Sequence, residues 1–296
     1  MILQNFFPII SLLLFTTNLF FPQVGFIVTF FIPLLVITYL TGKTRNKKSD
    51  IYSIVALLIA LFYKPIVGVS FILIVLAPSF FLYFNTVKEK KIYPVITSGL
   101  PAFLVTLASL SLIPEYRELL QEAIINNINM VANQMSQNDI PLEDKGYIAY
   151  ISNNKESIAE FMVMLLPCLS YSYVALLTYI SRSFAYRIKN IPVKLFKVPD
   201  VLIIPFIIGG FFIIGSSPIS KIIAYNTLII FGSLFFFQGL DLVNFFMIKF
   251  NVFVFLRLLF YIVIFSEPFM LIFVALFGLF DNWFHFDKIT FKKDNN

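Results

Sequence analysis

Histidine and cysteine are almost absent from this chain. Among its 296 residues there is one of each, His285 and Cys168. A single cysteine cannot form an internal disulfide and offers no paired-thiolate metal spacing, and a single histidine excludes multi-histidine metal centres. We therefore predict no metal site and no cofactor.

The short motifs of common enzyme classes are also absent. The sequence contains no P-loop, no GxGxxG after a strand, no HExxH and no GxSxG elbow. One histidine does not complete a convincing Ser/His/Asp set. We therefore predict that the protein is not an enzyme and carries no nucleotide site of its own.

Charged side chains are scarce, and their scarcity indicates the solvent. They make up 13% of the chain, hydrophobic residues make up 59%, and the mean hydropathy is +0.89, whereas soluble domains contain about 25% charged residues. The first 42 residues carry no charge. Because roughly 20 apolar residues in a helix cross a bilayer, that run must turn back, and Pro22 and Gly25 mark the expected turn. The sequence predicts a polytopic membrane protein embedded in the lipid bilayer.

Apolar runs of spanning length recur to the end of the chain. We expect spans near residues 6–21, 25–41, 51–63, 66–85, 93–113, 158–180, 201–214 and 222–248, with a last run at 252–280. That run has Glu267 and Pro268 in its middle, which fits either a hairpin or a kinked, tilted helix. The predicted fold is all-α, a transmembrane helix bundle of eight to ten spans that forms one membrane domain over residues 1–296.

The net charge of +6 is explained by loops between spans and does not indicate a nucleic-acid partner. Positive charge marks cytoplasmic loops, and three alternate connections are basic. The tail is basic too, so it is also expected in the cytoplasm, which favours the hairpin for the last apolar run. We predict a cytoplasmic amino terminus. The basic residues that set this orientation are Lys43, Arg45, Lys47, Lys48, Lys88, Lys90, Lys91, Arg182, Arg187, Lys189, Lys194, Lys197, Lys288, Lys292 and Lys293.

The connection over residues 114–157 is acidic and is expected on the opposite, extracytoplasmic side. Apolar residues recur in it at helical spacing from Tyr116 to Met135, before Asp139 and Pro141 end the pattern. We predict an amphipathic helix here. Two placements stay open: the helix lies at the membrane interface, or it caps a cavity between spans.

Polar side chains inside the spans are the main candidates for a site, because an intramembrane charge costs about 2.5 to 3.5 kcal/mol and persists where it faces protein or water. In the span 222–248, Gln238, Asp241 and Asn244 repeat every third residue along one flank. They either line a ligand pocket or bond neighbouring helices. In the second case we expect Asp241 to pair with Lys249 or Arg257.

Other candidates are weaker. Tyr171 and Tyr173 follow Pro167 in the sixth span; such hydroxyls bond a carbonyl or a partner helix more often than they contact a ligand. Glu267 is either a buried acid or the exposed tip of a hairpin. Two small residues four apart permit close helix approach, within the chain or against a partner; they are Ala56 and Ala60.

Four short stretches, in this order and spacing, resemble the YybS-like family of bacterial integral membrane proteins, a domain of unknown function. They are residues 31–34 (FIPL), 196–200 (FKVPD), 237–240 (FQGL) and 278–284 (GLFDNWF). The family often ends the last stretch with an arginine after an aromatic residue, whereas here Asp287 and Lys288 follow Phe286. The resemblance implies a multi-pass protein of the bacterial inner membrane. It also implies a distant likeness in helical layout to the substrate-binding subunits of energy-coupling-factor transporters.

Two functions remain open from the sequence. The first is binding or transport of a small molecule through a polar cavity that includes Gln238, Asp241 and Asn244. ATP-driven transport would then need separate coupling subunits, and the face with Ala56 and Ala60 is one candidate for docking them. The second is a scaffold or regulatory role, in which basic cytoplasmic loops and the outer amphipathic helix bind partners or lipid.

Overall fold

The computed structural model describes residues 6–42, 47–86, 93–136, 142–188, 190, 194–215 and 217–288. Within these ranges the chain is helical, with short connections and no strand. The helices are α1 (Phe7–Phe15), α2 (Thr17–Phe20), α3 (Pro22–Thr29), α4 (Ile32–Thr41), α5 (Lys47–Tyr63), α6 (Pro65–Phe71), α7 (Ala77–Thr86), α8 (Pro94–Thr97), α9 (Leu100–Leu112), α10 (Pro114–Ser136), α11 (Leu142–Asn153), α12 (Lys155–Ile188), α13 (Ile203–Ile213), α14 (Pro218–Lys249), α15 (Val254–Ser266) and α16 (Pro268–Phe284).

Proline explains much of this segmentation. It occupies the first turn of most of the helices, where its missing N–H removes no intrahelical hydrogen bond. Between α6 and α7 the chain stays helical through a π-helical turn, Ile72–Leu76. The predicted all-α class is therefore confirmed for the described residues.

The predicted count of eight to ten spans is not supported. Among the described residues, five helical stretches are long and apolar enough to cross a membrane, or six if α15 and α16 together make one. The five are Pro22–Thr41, Pro65–Thr86, Pro94–Leu112, Lys155–Ile188 and Pro218–Lys249. The expected spans at 6–21 and 201–214 form apolar helices, Phe7–Phe20 and Asp200–Ile213, that are too short. In α5 the charged first turn shortens the apolar part of a 17-residue helix.

The last apolar run breaks at Glu267. Helices α15 and α16 are bent by 106° there, and Pro268 starts the second arm. This angle is far sharper than the kink of a tilted helix, yet the arms do not run antiparallel as in a tight hairpin. Glu267 is exposed, which agrees with its interpretation as a tip.

Two large hydrophobic clusters form most of the described core, and α12 contacts helices of both. The amino-terminal cluster includes Phe15, Ile32 and Phe71, and the carboxy-terminal cluster includes Tyr171 and Phe235. A smaller cluster of Ile37, Leu82 and Ala185 joins the carboxyl-terminal parts of α4, α7 and α12. Each of these three helices precedes a basic segment of the sequence.

Helices α14 and α16 approach each other closely. A Cβ atom on Gly239 would collide with the carbonyl of Val274, and one on Gly278 would collide with the carbonyl of Phe235. Glycine at both positions therefore lets the two backbones touch.

The predicted amphipathic helix is present as α10, and one of its faces is partly buried. A second helix, α11, follows it and was not predicted. Several predicted features lie outside the described residues: the break at Asp139 and Pro141, and the cations Lys43, Arg45, Lys88, Lys90, Lys91, Lys189, Lys292 and Lys293.

Candidate functional site

The polar flank of α14 faces protein, as predicted for its first two members. Gln238 is fully buried, and the Asp241 side chain is 15% exposed. Asn244 is exposed and does not join them. Of the three residues of the predicted flank, two therefore lie together against protein, Gln238 and Asp241.

Asp241 is surrounded by three donors. Its Oδ1 accepts a hydrogen bond from the Tyr179 hydroxyl at 2.6 Å, and its Oδ2 accepts one from Arg182 Nη2, also at 2.6 Å. The backbone N–H of Phe196 donates to the same Oδ2 at 2.6 Å. Charge-assisted hydrogen bonds of this length are the strong ones, so the carboxylate is compensated by the protein itself.

Arg182 is held in place as firmly as its partner. Its side chain is only 7% exposed, and its guanidinium carbon lies 5.6 Å from the ring centre of Tyr179 and 5.4 Å from that of Phe196. Cation–π contacts of this kind gain strength when they are desolvated. The sequence predicted Lys249 or Arg257 as the partner of Asp241, and this was wrong: the ion pair is with Arg182, and Arg257 Nε donates to the carbonyl of Val252.

Gln238 is equally satisfied. Its Oε1 accepts the backbone N–H of Val198 at 2.8 Å. Its Nε2 donates to Asp281 Oδ2 at 3.0 Å and to Asn282 Oδ1 at 3.2 Å. Asp281 in turn accepts the backbone N–H of Phe286 at 2.8 Å, and Lys197 Nζ lies 3.5 Å from its Oδ2.

These contacts explain how an extended segment can lie inside a helical bundle. Residues 194–199 are non-helical, so their N–H groups lack the intrahelical partners that membrane-embedded backbone requires. Phe196 and Val198 are two residues apart in this segment. Asp241 and Gln238 accept their two N–H groups. We name this set of residues (Tyr179, Arg182, Phe196, Val198, Gln238, Asp241, Asp281 and Asn282) the polar network.

Sequence reasoning missed most of the network. Arg182 was assigned to a cytoplasmic loop, and Asp281 and Asn282 were not considered as a site. A signal was present, because residues 196–200, 237–240 and 278–284, three of the four stretches that carry the family resemblance, meet here.

The two candidate tyrosines have different surroundings. Tyr171 is 2% exposed, and its hydroxyl donates to the carbonyl of Ile96 at 2.7 Å, so it ties α12 to α8. Tyr173 stacks on Phe26 with ring centres 5.6 Å apart and an interplanar angle of 19°.

Tyr173 also lines a cavity of about 400 Å³ between the amino-terminal helices, α6 and α12. Most of its wall is apolar, and four side chains bring polar atoms to it: Asn18, Thr29, Ser70 and Tyr173. We call it the Tyr173 cavity.

Ala56 and Ala60 are partly buried and pack against the amino-terminal cluster. Their small side chains therefore pack within the chain. The opposite face of α5 is exposed and apolar, including Ile51, Leu58 and Phe62.

Comparison with known proteins gives the family. A family described as "Predicted membrane protein (DUF2232)" matches residues 9–282. The match covers most of the chain, which therefore belongs to this family. No curated protein and no solved structure matches it.

Proposed function

We propose that this DUF2232 membrane protein binds a small, largely apolar molecule in the Tyr173 cavity. The observation that carries the proposal is the composition of the wall: a cavity of about 400 Å³ is lined mainly by apolar side chains and by four polar ones. Small-molecule sites have this volume range and this pattern, in which a few polar groups fix the orientation of an apolar ligand.

The polar side of the cavity is ordered by the protein. Asn18 Nδ2 donates to the carbonyl of Phe15 at 2.8 Å and to Thr29 Oγ1 at 3.1 Å. Thr29 Oγ1 donates to the carbonyl of Gly25 at 2.7 Å. A Cβ atom on Gly25 would collide with the backbone of Asn18, so glycine permits the tight α2–α3 turn that positions this pair. Preorganised polar groups lower the entropic cost of binding.

Irregular helices surround the cavity, which supports the same proposal. The amino-terminal wall is broken at Phe21, whose backbone is not helical. On the opposite side the wall includes Ile74, which lies in the π-helical turn. Such π-helical turns occur frequently at functional sites.

The proposal moves the ligand away from the residues that the sequence favoured. Both carboxylate oxygens of Asp241 and both polar atoms of the Gln238 amide have protein partners, and Tyr171 donates to a backbone carbonyl. We assign these three to positioning of the bundle. Tyr173 is the one sequence candidate that we retain as a ligand contact.

A cavity-filling variant tests the proposal. Ser70→Phe places a ring in the cavity, and Tyr225→Leu is the matched control, since Tyr225 packs on Phe161 instead. Full-length protein is purified in native lipid, and co-purifying molecules are compared by mass spectrometry. We expect one or more small molecules to be retained by the wild type and the control and lost from Ser70→Phe. Identical bulk lipid in all three samples would mean that the cavity holds only annular acyl chains, and the proposal would be wrong.

Transport is a further step of this proposal. With no nucleotide motif in the sequence, ATP-driven movement would depend on coupling subunits, as the distant likeness to energy-coupling-factor transporters implies. Ala56 and Ala60 pack inside the chain, so a coupling subunit would need another surface. Because the sequence contains none of the common enzyme motifs, we also retain the predicted non-enzymatic role.

A scaffold role is the alternative, and one observation favours it. A groove of about 560 Å³ between α10, α11 and α12 is lined mainly by apolar side chains, and Met130, Val131 and Met135 of α10 are exposed. A photo-crosslinking residue at Val131 distinguishes the two roles. A specific protein adduct in cells would support the scaffold, and lipid adducts alone would count against it.

We place the protein in the bacterial inner membrane with the carboxyl-terminal ends of α4, α7 and α12 in the cytoplasm; the predicted cytoplasmic amino terminus requires Phe7–Phe20 to cross the membrane as well. The positive-inside rule supports this orientation, and so does the meeting of α4, α7 and α12 at the ends that precede basic segments. Cysteine labelling tests it, as described in the Discussion.

A further inference from the structure

A second, basic cavity lies beside the polar network. Its volume is about 260 Å³, and it is bounded by the ends of α7 and α12, the start of α8 and the extended segment. The polar side chains that line it are Asn85, Tyr93, Arg182, Tyr186, Lys194 and Lys197. We call it the basic pocket. None of the ten described residues that line it is acidic.

Among the described residues that line the basic pocket, the charges and their ion-pair partners leave one positive charge in excess. Arg182 is compensated by Asp241 at 2.6 Å, and Lys197 lies 3.5 Å from Asp281. Lys194 is exposed and lines the pocket. A ligand with one negative charge would therefore neutralise the site.

Hydrogen-bond donors predominate among the polar groups that line the basic pocket. Arg182 is 6% exposed, and within the described part of the chain its Nε has no hydrogen-bond partner. A buried polar atom in this state needs an explanation, such as a ligand or an ordered solvent molecule. The Tyr186 hydroxyl donates to Asn85 Oδ1 at 2.9 Å, which fixes both side chains on the wall. Guanidinium and ammonium donors of this type recognise phosphate oxygens.

The proposed orientation places the pocket at the level of the cytoplasmic lipid headgroups. It is at the carboxyl-terminal ends of α7 and α12, the end of the bundle at which the basic segments begin. Basic pockets between transmembrane helices on the cytoplasmic side bind anionic headgroups.

We propose that the basic pocket binds a singly charged phosphate group, with Lys194 and Lys197 reaching its oxygen atoms and Arg182 donating from the pocket wall. Two sources share this chemistry: the phosphodiester of an anionic lipid and free inorganic phosphate. This proposal is independent of the Tyr173 cavity, which lies in another part of the bundle.

The test compares two charge-removing variants at the same end of the bundle. Lys194→Gln removes a cation from the pocket, and Arg187→Gln removes an exposed cation of α12 that does not line it. The purified full chain in detergent is melted while phosphatidylglycerol, phosphatidylcholine or inorganic phosphate is added. A ligand that binds only the folded state raises Tm with concentration, which gives an apparent Kd.

We expect phosphatidylglycerol or inorganic phosphate to raise Tm, and phosphatidylcholine to leave it unchanged. Whichever of the two raises Tm shows whether the phosphate group comes from a lipid or from free phosphate. Lys194→Gln should weaken that binding about fivefold, which corresponds to about 1 kcal/mol, whereas Arg187→Gln should bind as the wild type does. Lys194→Arg should restore binding. Equal losses in Lys194→Gln and Arg187→Gln would show general surface attraction and overturn the proposal. So would equal stabilisation by all three probes, or stabilisation by none.

Discussion

Replacing Asp241 with asparagine preserves the shape of the side chain and removes its charge. Two effects follow in the polar network. The Arg182 guanidinium, 7% exposed, loses its counter-charge. One acceptor oxygen also becomes an NH₂ group, which then faces either the Tyr179 hydroxyl or the donors from Arg182 and Phe196.

The size of the loss follows from burial. Breaking an ion pair that is largely out of solvent costs about 3 to 5 kcal/mol, because the remaining charge is uncompensated. A loss of 1 kcal/mol lowers Tm by about 2 to 4 °C in chains of 150 to 250 residues, so we expect Asp241→Asn to melt roughly 6 to 20 °C lower. Asn244→Ala is the matched control on the same helix. Since Asn244 is exposed, its change should stay within about 0.5 kcal/mol.

A double-mutant cycle identifies the partner. Adding Arg182→Met to Asp241→Asn removes the orphaned cation, so the double variant should recover part of the lost Tm. Adding Arg257→Gln should recover nothing, because Arg257 Nε donates to a backbone carbonyl. The assay is thermal melting of purified protein in detergent. The pairing of Asp241 with Arg182 is contradicted if Asp241→Asn melts at the wild-type temperature, or if Arg257→Gln rescues it as well as Arg182→Met does.

Two further outcomes are expected. Gly278→Ala should lower Tm strongly, because its Cβ would collide with the backbone of α14, whereas Gly210→Ala, with open space around it, should leave Tm unchanged or raise it; equal effects would contradict the close contact of α14 and α16. In a Cys168→Ser background, Arg187→Cys should react with an impermeant thiol reagent only after cell lysis and Glu122→Cys should react in whole cells, and the reverse pattern would overturn the orientation.

Hydropathy was enough to predict where the helices lie, because membrane-embedded backbone must form helices. Hydropathy was a poor guide to which of these helices cross the membrane. The predicted span 158–180 continues in the structure to Ile188, and this extension carries Arg182. The positive-inside rule assigns such a residue to a loop, but the rule takes no account of Asp241, which is 59 positions away in the sequence.

The three-residue spacing on α14 was correct for Gln238 and Asp241 and wrong for Asn244. At 3.6 residues per turn, each step of three falls about 60° short of a full turn. Two such steps rotate Asn244 by roughly 120° from Gln238, which takes it off the buried face. The partners of this pair could not be predicted from α14 alone, because they come from an extended segment and from α12 and α16.

The dependence of Gln238 on α16 has a consequence for synthesis. Gln238 enters the membrane with α14, but the side chains that accept its Nε2 hydrogens, Asp281 and Asn282, are translated more than forty residues later. Until α16 arrives, this amide group lies at membrane depth without those acceptors, and Gly239 leaves an open groove beside it. A nascent chain that stops before residue 281 therefore presents a polar, incompletely packed helix to the insertion and quality-control machinery.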